Sequence, residues 1–228
     1  AVQAAGKMPL DLKNWPVEMA AISGHKIYGP KGIGALYLRR GVRLQALLHG
    51  GSHEKNRRAG TENVPGAVGL GVACDLARRE MDAEVPRVRA LRDRFERGVL
   101  SNVPGVSVNG GGALRLGNTS NLTFDCVEGE SLVLALDQAG FALKRPDLPG
   151  VEISTGSACA SGLLEPSHVL KAIGVSRERI HGSVRFSLGH FNTEADVDFA
   201  LRVLPVAVDR LRQMSPLWEE RGRRAANQ

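Results

Sequence analysis

Aromatic residues are scarce in this 228-residue chain, at 4% of the total, and it holds only three cysteines. With so few rings, the chain lacks the stacking surface that single-stranded nucleic acids bind to. Its 30 basic residues outnumber 24 acidic ones, for a formal charge of +6, but they are scattered. The one dense cluster, Arg221, Arg223 and Arg224, lies in the terminal tail, so a solvated basic surface accounts for the balance and no nucleic-acid partner is expected. Cys74, Cys126 and Cys159 are too widely spaced for a disulfide framework or a zinc site. They indicate a reducing, cytoplasmic setting in which one thiol is a candidate for reactivity. No apolar run is long enough to cross a bilayer, so no membrane partner is expected. The opening Ala1-Val2-Gln3-Ala4-Ala5-Gly6-Lys7 lacks the basic region and apolar stretch of a signal peptide and reads like the middle of a domain. Internal repeats and low-complexity stretches are also lacking.

What remains is 43% hydrophobic and 24% charged, the composition of a globular protein with one sizeable core or two smaller ones. Residues 17–23 read as a buried strand and 35–38 as a second, entered from a glycine-rich turn. Between them lies Ser23-Gly24-His25-Lys26, followed by Gly29, Gly32 and Gly34. A lysine amine becomes a nucleophile once burial or a neighbouring cation weakens its hold on its proton. The Ser23 hydroxyl and His25 imidazole beside it suit a phosphate. From these residues alone, a solvated lysine in a turn is an equally good reading. Gly29 to Gly34 has the wrong order for a dinucleotide fingerprint, and Gly24 to Gly29 is not followed by the Lys-Ser/Thr of a P-loop.

His49 and His53 are four apart, but Gly50 and Gly51 between them argue for a loop over a helical metal site, and no metal is expected. The loop continues through Arg57, Arg58, Gly60 and Thr61 to Asn63-Val64-Pro65, a helix start. Arginines, a hydroxyl and a helix N-terminus together suit an anion, although an ordinary surface loop fits as well. Residues 67–100 are helical in pattern. The helix is first apolar (Val68, Leu70, Val72, Leu76), as in a buried helix, and then charged on one face (Arg87, Arg89, Arg92, Arg94, Arg97). The change places a domain boundary near residue 80. Cys74 falls in the apolar part and reads as a packed core residue, while Cys126, after a strand, stays open.

Beyond Pro104, residues 106–108, 120–124 and 184–188 read as strands, 129–138 as a helix, and Thr193 with Glu194 and Asp196 as the start of a long last helix. This alternation predicts an α/β or α+β fold. Between these elements lies Ile153-Ser154-Thr155-Gly156-Ser157-Ala158-Cys159-Ala160-Ser161-Gly162, with a helix expected from Pro166-Ser167-His168. Cys159 sits among small and hydroxyl-bearing residues with no bulky apolar neighbour to bury it, which favours a reactive thiol over a structural one.

Three separated stretches, Ser23-Gly24-His25-Lys26, Arg58-Ala59-Gly60-Thr61-Glu62-Asn63 and Ser154-Thr155-Gly156-Ser157-Ala158-Cys159 with Leu164-Glu165-Pro166-Ser167-His168 after it, together resemble the pyridoxal-phosphate cysteine desulfurases of the NifS/IscS type. Val184-Arg185-Phe186-Ser187-Leu188-Gly189 fits as well, so the resemblance spans nearly the whole chain. It implies a fold-type I, aspartate aminotransferase-like α/β protein. Residues 1–80 would be the C-terminal part of the large cofactor domain, and 81–228 a small α+β domain carrying the cysteine loop.

The resemblance also implies roles. Lys26 would hold pyridoxal 5'-phosphate covalently and move the substrate's Cα proton. Ser23 and His25 would bind its phosphate, Thr61 the phosphate of the partner subunit in a homodimer, and Gln3 its ring hydroxyl. Arg185 would clamp the carboxylate of L-cysteine. Cys159 would take the sulfur as a persulfide, leaving L-alanine, and pass it to an iron–sulfur scaffold or another acceptor protein. In the family an aspartate paired with the cofactor's ring nitrogen immediately precedes the Ala-Val-Gln step, and this sequence begins one residue later. A chain of this sequence alone is therefore expected to form an incomplete active site. Two other readings are a selenocysteine lyase, or another lyase on the same fold, and a non-catalytic fragment that binds sulfur-transfer partners.

Overall fold

A computed structural model describes residues 1–138, 149–156 and 167–218. The chain divides into two compact units, Ala1–Val85 and Pro86–Gln228. The boundary falls inside one long helix at Pro86, whose ring removes the N–H that would bond the carbonyl four residues back.

In the first unit, β1 (Met19–Ser23) and β2 (Gly34–Leu38) form an antiparallel hairpin, with Met19 opposite Leu38 and Ser23 opposite Gly34. A 3₁₀ turn, Gly24–Ile27, leaves the end of β1 directly. The expected strand starts two residues later than the sequence suggested, and it is not fully buried. Ala20 is buried, whereas Met19 and Ala21 are exposed. One guanidinium ties the hairpin to the preceding loop: Arg39 donates to the carbonyls of Val17 (2.9 Å), Leu12 (3.0 Å), Lys13 (3.4 Å) and Trp15.

Residues His53–Asn56 look helical by their hydrogen bonds, but Glu54, Lys55 and Asn56 all have φ between 49 and 64°. The segment is a left-handed turn, costly for residues with a Cβ, and the expected loop is found here in place of a metal-binding helix. Helix α1 (Val64–Asn102) follows, with Asn63 accepting from the Gly66 N–H at 3.0 Å as its cap. Leu70 and Ala73 pack with Ala5 and Ile27 in a small core, against which Cys74 is half-buried as expected. Val64, Val68, Val72 and Leu76, spaced every four residues on another face, stay exposed. The first half of α1 is thus amphipathic rather than buried all round.

In the second unit, β3 (Val106–Val108), β4 (Thr119–Phe124) and β5 (Ser183–Ser187) form an antiparallel sheet in that order. The helices α2 (Gly129–Asp137), α3 (His168–Ala172), α4 (Arg177–Ile180) and α5 (Glu194–Gln213) accompany it. Phe95 and Val99 of α1, Leu132 and Leu136 of α2, and Val203, Leu204 and Val208 of α5 bury one face of the sheet through Leu122, Phe124, Val184 and Phe186. The rings of Phe95 and Phe186 meet at 4.6 Å. Thr193 caps α5 as predicted: its N–H donates to Asp196 Oδ2 at 2.8 Å, and its Oγ1 accepts from the Asp196 N–H.

The arginines of α1 do not form one solvated face. Arg92 is 6% exposed and donates to the Thr119 carbonyl at 3.0 Å, while Arg94 pairs with Glu194 and Asp198 at the start of α5. Cys126 lies after β4, half-buried, with φ of 60°. No helix of the described residues is long and apolar enough to cross a membrane.

Glu96 is held by a bidentate pair with Arg115 (both 3.0 Å) and by the Ser120 hydroxyl at 2.6 Å. Its side chain is 14% exposed. Burial by itself would raise its affinity for a proton, but the two partners outweigh burial and hold the carboxyl below the usual range. A depressed carboxylate stabilises the fold above the unfolded value, about 4.3, and stops doing so as pH falls through the folded value. Glu96→Gln should therefore lose about 1–3 kcal/mol at neutral pH, with the gap to wild type closing below about pH 4, as read by denaturant unfolding across pH. Arg39→Lys should destabilise the first unit by about 1–3 kcal/mol. Hydrogen exchange should then quicken in β1 and β2 while β3 to β5 keep their protection.

Candidate functional site

Ser23, His25 and Lys26 are brought together by backbone closure at the hairpin's end. The Gly24 N–H donates to the Ile33 carbonyl and the Gly29 N–H to the Gly24 carbonyl, both at 2.9 Å. Tyr28 ends the turn in the left-handed region at φ 62°. Gly24 is required here, because a Cβ would stand 2.8 Å from the Pro30 carbonyl oxygen and 3.0 Å from Ile33. Ile27 is 6% exposed and anchors the turn in the small core, so Lys26 extends from fixed backbone.

The Ser23 hydroxyl and His25 Nδ1 are 2.8 Å apart. With serine as the donor, the imidazole proton sits on Nε2, where it can donate to an anion. Among the described residues, no carboxylate pairs with His25 or Lys26. A hydroxyl, an imidazole and an amine without a counter-anion, fixed within four residues, fit a molecule bearing both a phosphate and an aldehyde.

Gln3 lies in a turn made by bonds from the N–H groups of Ala5 to Ala1 and of Lys7 to Ala4, both 3.0 Å. Ala5 in that turn packs with Ile27. Thr61 is exposed, two residues ahead of the Asn63 cap, and makes no hydrogen bond to Ser23, His25 or Lys26 among the described residues.

Arg185 is on β5 in the second unit, opposite Asn121 of β4. Alternation puts Thr123 and Ser183 on the same sheet face as Arg185, away from Leu122, Val184 and Phe186. That face is polar: Asn109 Nδ2 donates to Asn121 Oδ1 at 2.6 Å and to the Thr123 hydroxyl at 2.8 Å, and the Thr123 and Ser183 hydroxyls meet at 2.7 Å. Arg185 Nε is buried without a hydrogen-bond partner. A buried guanidinium N–H left unsatisfied is costly, so this one suits an arriving acceptor.

The Arg185 backbone also pairs with Ser154, donating to its carbonyl at 2.6 Å and accepting from its N–H at 3.2 Å. The Ser154 hydroxyl closes the next turn on Gly156. No local pattern announces this bridge, which ties the start of the cysteine motif to Arg185. Cys159 itself, with the rest of that loop, lies outside the described residues. A second feature missed by sequence reasoning is Lys7, whose ammonium donates to the Lys26 carbonyl at 3.4 Å. No spacing rule connects two lysines 19 positions apart. Among the described residues, no cluster of three or more metal-ligating side chains occurs.

The chain is 52% identical over 219 residues to a cysteine desulfurase of Gluconacetobacter diazotrophicus, and 47% identical over 222 residues to the cysteine desulfurase NifS of Azotobacter vinelandii. Those matches cover 96% and 97% of this chain but 52% and 53% of the relatives, so the chain spans about half the length of the curated relatives it matches. Among solved structures, a NifS-like protein from Rickettsia africae superposes with a TM-score of 0.79 at 28% identity over 91% of this chain and 52% of its own length. Another NifS-like protein gives 0.76 at 32% identity over 92% and 51%. These likenesses give the chain the fold-type I α/β arrangement that its motifs implied. The aminotransferase class-V model matches residues 1–199, most of the chain's length, and the chain belongs to that family.

Proposed function

We propose that the protein carrying this chain is a cysteine desulfurase that converts L-cysteine to L-alanine, transfers the sulfur to Cys159, and uses pyridoxal 5'-phosphate as its cofactor. The observation that carries this reading is the fixed Ser23, His25 and Lys26 cluster, a hydroxyl, an imidazole and an amine within four residues at the end of β1. Bound pyridoxal phosphate supplies an electron sink for the pair left when the substrate's Cα proton departs.

Lys26 would hold the cofactor, and its amine would take up and return the substrate's Cα proton. Ser23 and His25 donate to the phosphate, and Gln3 to the ring hydroxyl. Thr61 donates to the phosphate bound in the second subunit of a homodimer. Arg185 receives the substrate carboxylate, which supplies the acceptor that its buried Nε lacks.

The Cys159 thiolate attacks the substrate's sulfur. A sulfur–sulfur bond forms, the substrate's carbon–sulfur bond breaks, and its electron pair stays with the carbon skeleton, which gains protons to become alanine. The persulfide on Cys159 is then passed to an acceptor protein such as an iron–sulfur scaffold, in the reducing cytoplasm expected from the cysteine content. The Ser154 bridge fixes one end of the loop that Cys159 belongs to, leaving the thiol five residues from the anchor.

In full-length protein, Cys159→Ser should bind cofactor normally and still show its spectral response to cysteine. Sulfide release in the presence of a reductant should fall by about 10²-fold or more. Release at the wild-type rate would sink the assignment of Cys159 as sulfur acceptor.

A further inference from the structure

Asn121 and Arg185 are opposite each other in β4 and β5. The Phe124 N–H donates to the Gly182 carbonyl at 2.9 Å, and the Leu188 N–H to the Asn118 carbonyl at 2.8 Å. Opposed residues of an antiparallel ladder alternate between bonded and non-bonded pairs, so these two bonds fix the phase. Counted from either, Asn121 and Arg185 form a non-bonded pair, in which the Cα atoms come to about 4.5 Å and the side chains are closest. The backbone of Arg185 agrees, since its N–H and carbonyl turn away from β4 to Ser154.

The Asn121 carboxamide is held through its oxygen. Asn109 grips this residue twice: its N–H donates to the Asn121 carbonyl at 2.9 Å, and its Nδ2 to Asn121 Oδ1 at 2.6 Å. The same Nδ2 donates to the Thr123 hydroxyl at 2.8 Å, and that hydroxyl meets Ser183. With Oδ1 turned into this cluster, the planar amide leaves Nδ2 pointing out of it, as a donor. Among the described residues, neither Asn121 Nδ2 nor the Arg185 side chain makes a hydrogen bond, and Arg185 is in no ion pair. Asp125, the carboxylate just beyond β4, is paired with Arg179 at 2.9 Å. Two neighbouring donors are thus left without an acceptor, and one of them, Arg185 Nε, is buried. Packing alone does not favour that arrangement.

We infer that Asn121 is a further substrate-binding residue, whose Nδ2 donates to one oxygen of the carboxylate that Arg185 receives. This rests on the reading of Arg185 as the carboxylate site. A carboxylate accepts through two oxygens, so it can take a guanidinium and a neutral amide together. The guanidinium supplies the charge. The amide, already fixed by Asn109, supplies direction at little further cost in ordering.

The test uses full-length protein loaded with pyridoxal phosphate. The half-saturating concentrations of L-cysteine and of cysteamine, its counterpart without a carboxylate, are read from the cofactor's absorbance. Wild-type protein should prefer L-cysteine, and the control Arg185→Leu should lose most of that preference. Asn121→Ala should weaken L-cysteine binding by about tenfold or more, and Asn121→Asp by about 10²-fold, with cysteamine binding unchanged. Asn121→Asp keeps the oxygen that Asn109 holds, so it tests the site even where Asn121→Ala does not fold.

A purely structural Asn121 would weaken both ligands alike, or lower the melting temperature, without changing their ratio. An unchanged ratio in the folded Asn121 variants, with the ratio lost in Arg185→Leu, overturns the proposal and leaves Arg185 as the carboxylate site. A ratio that survives Arg185→Leu, or no preference in the wild-type protein, overturns the reading of Arg185 and this proposal with it.

Discussion

The first unit depends on the closure of its hairpin at Gly24. Two main-chain bonds, to the Ile33 carbonyl and from the Gly29 N–H, meet at a residue with no room for a Cβ, and the buried Ile27 side chain pins the other end of the turn. A long, flexible lysine side chain loses much entropy when it is held in one place. Fixing its backbone reduces the part of that cost that falls on binding, which is why a reactive lysine benefits from a rigid turn. The same closure sets Ser23 and His25 two residues apart with their polar atoms in contact, so the hydroxyl, the imidazole and the amine of Lys26 come from one preformed piece of backbone.

The second unit solves a different problem by separating the two faces of one small sheet. Alternation along β4 and β5 sends Leu122, Phe124, Val184 and Phe186 into a core closed by three helices, and Asn121, Thr123, Ser183 and Arg185 to the other side. The polar side chains on that second face bond to one another, and the buried Nε of Arg185 is left over. A guanidinium kept partly unsatisfied costs stability, a cost met by the apolar face beneath it. Ser154 adds a short backbone bridge at the same residue, so the loop with Cys159 starts from Arg185.

Much of this was legible in the sequence because local rules carry it. Asn63 and Thr193 cap helices where their side chains and following residues say they should, and the strands around Leu122 and Val184 show as runs of β-forming residues. Burial was less legible. The apolar residues at the start of α1 promised a buried helix, yet Leu70, Ala73 and Cys74 pack in the core while Val64, Val68, Val72 and Leu76 stay exposed, because periodicity shows which residues share a stripe but not whether anything covers it. The left-handed turn at Glu54, Lys55 and Asn56 has no local signature at all, since tertiary context overrides the propensity of these residues. Of the candidate site, the motif residues could be named from their resemblance to a family. Lys7 beside Lys26, and Ser154 bridged to Arg185, are long-range pairings that only the folded backbone creates.

The central claim is that the turn at Gly24 makes Lys26, among all the lysines of this chain, the one that reacts with an aldehyde. Peptide mapping of the protein after brief exposure to substoichiometric pyridoxal phosphate and borohydride addresses it directly. The account predicts the reduced adduct on Lys26 alone, with Lys7, Lys13 and Lys31 unmodified. An adduct spread over several lysines in proportion to their exposure, or concentrated on one other than Lys26, would contradict it.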